Sequence, residues 1–137
     1  MVTYKMEMEI LFPGGKKVQS NYKGFVVETD QPKNEGGDGS APEPYDLFIS
    51  SIGTCAGVNV LYFCDSRNIS TDGVKMRLTV EKDDKTHLIK QIHIRIHLPD
   101  SFPQKYRKAV IRAAERCAVK RSFSNPPEVL ITVEEIQ

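Results

Sequence analysis

From Leu47 to Cys64 the chain carries no charged side chain. The stretch 42–64, PEPYDLFISSIGTCAGVNVLYFC, therefore predicts a helix that is apolar all round, and such a helix must be covered all round. Pro42 and Pro44 suit a first helical turn, where no backbone N–H is needed, and Ser40 or Asp46 can serve the free N–H groups or the dipole. Eighteen uncharged residues reach only the lower limit for a membrane span, and the run is diluted by Ser50, Ser51, Gly53, Thr54, Ala56, Gly57 and Asn59. A core helix is the better reading. Gly53 and Gly57, four residues apart, open one face to close approach; we expect a helical neighbour there, which in so short a chain can come from a second copy. Cys55 lies near the middle of this helix.

A length of 137 residues fits a single domain, 1–137, with its own core. Nineteen basic against eighteen acidic residues leave a formal charge of +1, scattered along the chain, so no general attraction to nucleic acid or anionic membrane is expected. Three cysteines cannot all pair within one chain. With no targeting segment recognised, a reducing cytoplasm is the expected location, where a disulfide is more often transient and catalytic than structural.

Taken in order, residues 3–12 alternate, with Tyr4, Met6, Met8 and Ile10 on one face, and predict a half-buried strand. Pro13-Gly14-Gly15 predicts a turn, with strands over Lys16–Ser20 and Lys23–Thr29 completing a small antiparallel sheet. Residues 30–43 hold three Gly and two Pro and form a loop, but neither GxGxxG nor GxxxxGK[ST] is present, so phosphate binding is not expected. After the helix, Val74–Lys82 and Thr86–Leu98 alternate on either side of the turn Asp83-Asp84-Lys85, predicting a hairpin. His93 and His97 resemble HxxxH. On a strand, though, they stand roughly 13 Å apart, too far to grip one ion, so solvent-facing histidines and no metal site are expected. Phe102–Lys120 predicts a second helix with Tyr106, Val110, Ala113 or Ala114, and Cys117 on its inner face. Asn125-Pro126-Pro127 ends it, and Glu128–Ile136 predicts a final strand.

Cys55 and Cys64, nine residues apart on one helix, point to opposite sides and lie roughly 13 Å apart along its axis. That leaves Cys117 as the partner available to Cys55 within one chain. A buried free cysteine is often only a small hydrophobe, the simplest reading of Cys64. Cys55 sits among small residues that leave room for a substrate, and Cys117 is flanked by Arg116, Lys120 and Arg121, a setting that favours a thiolate.

The segments GGDGSAPEPYDLFISSIGTCAG and AAERCAVKRSF, together with the strand order, resemble the OsmC/Ohr family over nearly the whole chain. The resemblance implies an α+β, OsmC-like fold in which antiparallel sheets wrap two central helices of an intertwined homodimer. It implies reduction of organic hydroperoxides without a bound cofactor. Cys55 would become a sulfenic acid, Cys117 would condense with it to a disulfide, and an external dithiol, such as a lipoyl group on a protein, would restore both. Family peroxidases hold the thiolate with an Arg from the N-terminal sheet and a Glu after the helix-entry Pro. Here no Arg precedes Arg67, and Tyr45 follows Pro44. Lys16 is the expected substitute charge, although a Lys lacks the bidentate fork of an Arg. Tyr45, Asp46 and Phe48 are the expected pocket residues. The competing reading is a binding module that holds a small apolar ligand in the same cleft without turnover.

Overall fold

The computed structural model describes residues 5–135. Chain contacts divide at Ser50/Ser51 into two compact units, with the long helix continuing through the boundary. The architecture is α+β, with two small antiparallel sheets and three α-helices.

In the first unit, β1 (Glu9–Gly14), β2 (Lys17–Tyr22) and β3 (Phe25–Thr29) form a three-stranded meander in that order. Strand β1 starts later than the alternation predicts and runs through Pro13-Gly14; the expected Tyr4 lies outside the described residues. The turn falls one residue on, at Gly15-Lys16, with Gly15 at φ +57° and a shift of register between Leu11 and Gly14. Tyr22 opposes Phe25 across Lys23-Gly24, both at positive φ, which is the two-residue hairpin turn whose twist matches that of its strands.

The loop after β3 is folded around one carboxylate. Asp30 Oδ2 accepts from Ser40 Oγ at 2.6 Å, Ser40 N at 3.1 Å and Asp38 N at 3.2 Å, and Oδ1 accepts from Gln31 N at 2.8 Å. Asp30 is 1% exposed, and these donors hold its carboxyl down at about 2, the Ser40 hydroxyl being the strongest contributor. Gly37 is required here, because a Cβ would collide with the Gln31 carbonyl. A Gly-rich loop ahead of a helix thus commits several of its N–H groups to the chain's own acid.

Helix α1 covers Pro44–Asp65. Of the two candidates for its start, Asp46 is the one that caps it. Its Oδ2 accepts from Glu43 N at 3.3 Å, the N3 side chain reaching back to the residue before the first turn. Ser40 belongs to Asp30 instead. The other end closes on Asn68 at φ +55°, with Ile69 N bonded to the Cys64 carbonyl at 2.9 Å, a six-to-one closure that turns Ile69 onto the core. Arg67 clamps this end. Its guanidinium lies 3.8 Å from the Phe63 ring centroid and donates to the Phe63 carbonyl at 3.2 Å.

The second unit pairs β4 (Lys75–Lys82) with β5 (Ile89–His97), from Lys75 opposite His97 to Val80 opposite Ile92. Met76, Leu78, Ile94 and Ile96 share the half-buried face; His93 and His97 lie on the exposed one, as their alternation requires. The core joins Val60, Phe63 and Cys64 of α1 to Phe102 and Val110, with Met76, Ile96 and Tyr106 packed around them. Gly53 and Gly57 face this sheet rather than a helix. A Cβ on Gly53 would lie 3.3 Å from Leu78 Cδ1, and one on Gly57 3.7 Å from Met76 Sδ.

Three further expectations need correction. First, α1 is not covered all round: Ile52, Ala56, Val60, Phe63 and Cys64 form a buried stripe at helical spacing, while Val58, Leu61 and Tyr62 are exposed. By length and composition the helix could cross a membrane, but that stripe is the packing of a core helix. Second, Phe102–Lys120 is not one helix. A 3-10 turn (Gln104–Tyr106) leads into α2 (Arg107–Glu115), and α3 (Ala118–Ser124) follows a break at Arg116 and Cys117. Third, residues 128–135 are in no strand, and Val129, Leu130, Ile131 and Val133 are exposed; Ile136 lies outside the described residues. An alternating segment becomes a strand only where an edge can pair with it.

Candidate active site

The break between α2 and α3 builds the site. Helix α2 ends with Arg116 N donating to the Ala113 carbonyl at 3.2 Å, and Cys117 then turns extended, at φ −60° and ψ +127°. A continuous helix would have bonded the N–H groups of residues 118 and 119 to its own carbonyls. Released, the N–H groups of Val119 and Ala118 favour the Cys55 thiolate. Cys117 is thus the residue just before α3 rather than a position on a helical face, and its Sγ approaches the Ile52 carbonyl at 3.9 Å.

Cys55 and Cys117 meet side chain to side chain, both as free thiols. Their environments push them apart. The thiol of Cys55 is lowered, first by the Val119 N–H, then by the Cys117 S–H, with smaller help from the Ala118 N–H and the Arg121 charge. Cys117, 2% exposed, is raised, first by burial and then by Cys55. The single Cys117 proton can point to the Ile52 carbonyl or to Cys55. Once Cys55 is ionised, the charged acceptor is the stronger partner. The result is a half-buried sulfur whose charged form is favoured beside a buried sulfur whose charged form is disfavoured. Cys64 is fully buried in the core and raised, chiefly by burial, which makes it inert as a nucleophile.

The remaining expected site residues lie in the first unit. Tyr45 and Phe48, on the first turns of α1, are partly exposed, with ring centroids 5.7 Å apart. Asp46 is engaged at the helix start. Lys16 stands in the β1–β2 turn, its Cε 3.5 Å from where a Cβ on Gly36 would be. One residue escaped the sequence reading, Asp30, whereas Arg121, read beside Cys117 as part of a cationic setting, acts weakly on Cys55. Among the described residues no group of three metal-ligating side chains comes together.

Comparison with known proteins agrees with this construction. A family model described as "OsmC-like protein" matches residues 37–132, which include both cysteines. No curated protein matches the chain. Among solved structures, a protein of Psychrobacter arcticus 273-4 described as osmotic-stress-induced and of the detoxification response superposes with a TM-score of 0.73 at 19% identity, over 88% of this chain and 91% of that one. The OsmC-like protein of Mycoplasma pneumoniae gives 0.67 at 14%, over 91% of each chain. The organic hydroperoxide resistance protein OhrB of Bacillus subtilis gives 0.55 at 14%, over 91% and 94%. At these identities the likeness is one of fold, and with the family match covering well over half of the sequence, the chain belongs to the OsmC-like protein family.

Proposed function

We propose that this protein is a thiol-dependent reductant of organic hydroperoxides that works through Cys55 and Cys117. The observation that carries this reading is the opposed tuning of two cysteines that act on each other, Cys55 lowered and Cys117 raised. The hydroperoxide resistance protein OhrB, a structural neighbour, supports the substrate class.

The Cys55 thiolate attacks the terminal peroxide oxygen. The O–O bond breaks, Cys55 keeps the terminal oxygen with its proton as a sulfenic acid, and the departing alkoxide takes a proton from solvent water to leave as the alcohol. That step also removes the charge that held the Cys117 proton. Cys117 then attacks the Cys55 sulfur; an S–S bond forms, the S–O bond breaks, and the departing hydroxide takes the Cys117 proton as water. An external dithiol, of lipoyl type, reduces the disulfide and is itself oxidised. No bound cofactor enters the cycle. In this proposal Tyr45 and Phe48 stay the expected contacts of the organic group and Lys16 the expected additional charge, while Asp46 caps the start of α1.

The working unit in this proposal is a cytoplasmic homodimer. Its support is the uncovered apolar side of α1 (Val58, Leu61, Tyr62) together with the exposed, alternating segment 128–135, both of which a second copy can cover.

The test is peroxide consumption with a dithiol as reductant. Cys55→Ser should abolish it, whereas Cys117→Ser should support early turnover and then accumulate over-oxidised Cys55. Turnover by Cys55→Ser at the parent's rate would refute the proposal and favour non-catalytic ligand binding on the same fold.

A further inference from the structure

Seven of the nineteen basic residues lie between Lys105 and Arg121, beside a single acid, Glu115, so the rest of the chain holds twelve basic residues against seventeen acidic ones. The near-neutral total conceals one strongly cationic segment. Within it Lys108, Arg112 and Arg116 follow at spacings of four and line one exposed stripe of α2, about 12 Å long, with Lys105 leading in at a spacing of three. The opposite side of the helix, Val110, Ala113 and Ala114, packs on the core. Arg107 does not join the stripe, because it is half-buried and donates to the Pro99 carbonyl at 3.0 Å. These charges run against what a helix favours. Lys108 stands in a first turn that holds no acid and Glu115 stands at the C-terminal end, each at the wrong pole of the dipole, while Lys108–Arg112 and Arg112–Arg116 are like-charged pairs four apart. Among the described residues, no cation of the stripe forms an ion pair with a carboxylate.

We propose that this stripe is a docking surface for an acidic protein, the one that delivers the dithiol to Cys55 and Cys117. The inference deepens the peroxidase reading, on which it rests, by naming the surface and the charge through which the reductant's carrier is held. Position supports it: Arg116 ends α2 and immediately precedes Cys117, so a partner held along the stripe reaches the end of the helix where the disulfide forms. Charge selects the occupant. A long polyanion such as nucleic acid would also meet the excess of acids on the rest of the chain, whereas a bounded acidic patch meets the stripe alone. A lipid surface would need an apolar face to embed, and that of α2 is committed to the core. The guanidinium forks of Arg112 and Arg116 match carboxylates. With the carrier seated, one of its thiols attacks the Cys55 sulfur, the Cys55–Cys117 bond breaks, and Cys117 takes up the proton. The second carrier thiol attacks the resulting mixed disulfide and closes the carrier's own S–S bond. Cys55 leaves as a thiolate and the last proton passes to water, so the carrier is oxidised and both cysteines are reduced.

The experiment compares the parent with Lys108→Gln/Arg112→Gln and with Lys5→Gln/Lys33→Gln, which removes the same charge from exposed sites in the first unit. Binding of a fluorescein-labelled oligo-glutamate peptide to the reduced protein is followed by anisotropy at low ionic strength. Reduction of the Cys55–Cys117 disulfide, formed with diamide so that no peroxide is needed, is followed by thiol appearance with the same peptide bearing a dihydrolipoyl group and with free dihydrolipoamide. The stripe variant should bind the peptide roughly fivefold more weakly, the scale of two exposed ion pairs, and should be reduced more slowly by the acidic carrier to a similar extent. Its reduction by free dihydrolipoamide should match the parent's, the Lys5/Lys33 variant should behave as the parent throughout, and added salt should shrink the difference. Equal losses in the two variants would mean net charge rather than a docking surface, and would overturn the proposal. So would unchanged binding in the stripe variant, tighter binding of duplex DNA than of the peptide by the parent, or a disulfide that diamide cannot form. A parent that shows both effects yet leaves hydroperoxide unconsumed would uphold the docking surface and count against the peroxidase reading alone.

Discussion

Cys64 shows how far residue type is from role. It shares a helix with Cys55, yet it is wholly buried in an apolar cluster where burial disfavours its thiolate, while Cys55, nine residues earlier, meets the backbone donors freed at the break before α3. Cys64→Ala should therefore cost about 1 kcal/mol of stability, the loss of one small buried group, and leave Cys55 labelling unchanged; denaturant unfolding and peptide-resolved alkylation measure the two. Asp30 supports a prediction of opposite character. Its folded carboxyl lies at about 2 against an ordinary 3.8, so the charged form is preferred by the fold. Its stabilising contribution is fully present above the ordinary value and is lost as pH falls from about 4 toward 2. Asp30→Asn should lower the melting temperature at neutral pH and flatten its fall across that acid window; an unchanged acid limb would mean that another group governs it. Nothing in the sequence marked Asp30 out, because the loop it gathers reads only as Gly-rich and polar until the carboxylate's partners are known.

At the scale of elements, the legible features were those with a local cause. The hairpins followed from alternation and turn residues, and α1 followed from its uncharged run and its Pro start. What could not be read was decided by contacts distant in sequence. The segment AAERCAVK holds neither Gly nor Pro, so nothing local announces that the helix stops at Arg116, where the freed N–H groups come to favour the Cys55 thiolate. For the same reason, the meeting of Cys55 and Cys117 was legible by elimination, whereas the donors that set them apart were not. The glycines of α1 were read as a face for a helix and are instead a face for β4. Gly57→Ala meets Met76 at ordinary contact distance and should stabilise the protein by about 0.5–1 kcal/mol through helix propensity, as measured by urea unfolding. Gly53→Ala must displace Leu78 and should gain less. At the end of the same helix, Arg67→Ala gives up the contact with the Phe63 ring and a carbonyl bond, and should cost about 1 kcal/mol.

For the molecule as a whole, the uncovered apolar surface is the central physical fact. A helix with Val58, Leu61 and Tyr62 facing outward and a segment exposing Val129, Leu130, Ile131 and Val133 make an apolar exposure that isolated soluble chains rarely carry. The expectation that α1 is covered all round fails for one chain and is restored if two copies share it. Light scattering should therefore give about twice the 15.5 kDa chain mass, and Leu61→Asp with Tyr62→Lys should shift it toward the monomer. A monomer at micromolar concentration would remove the dimer from the account. The claim on which everything else depends is nevertheless chemical: two neighbouring sulfurs with opposed tendencies to ionise form one redox unit. The direct measurement is a thiol count with disulfide mapping after one equivalent of an organic hydroperoxide is added to the fully reduced protein. The account predicts the loss of two thiols, a Cys55–Cys117 bridge and an untouched Cys64. Three intact thiols would contradict it.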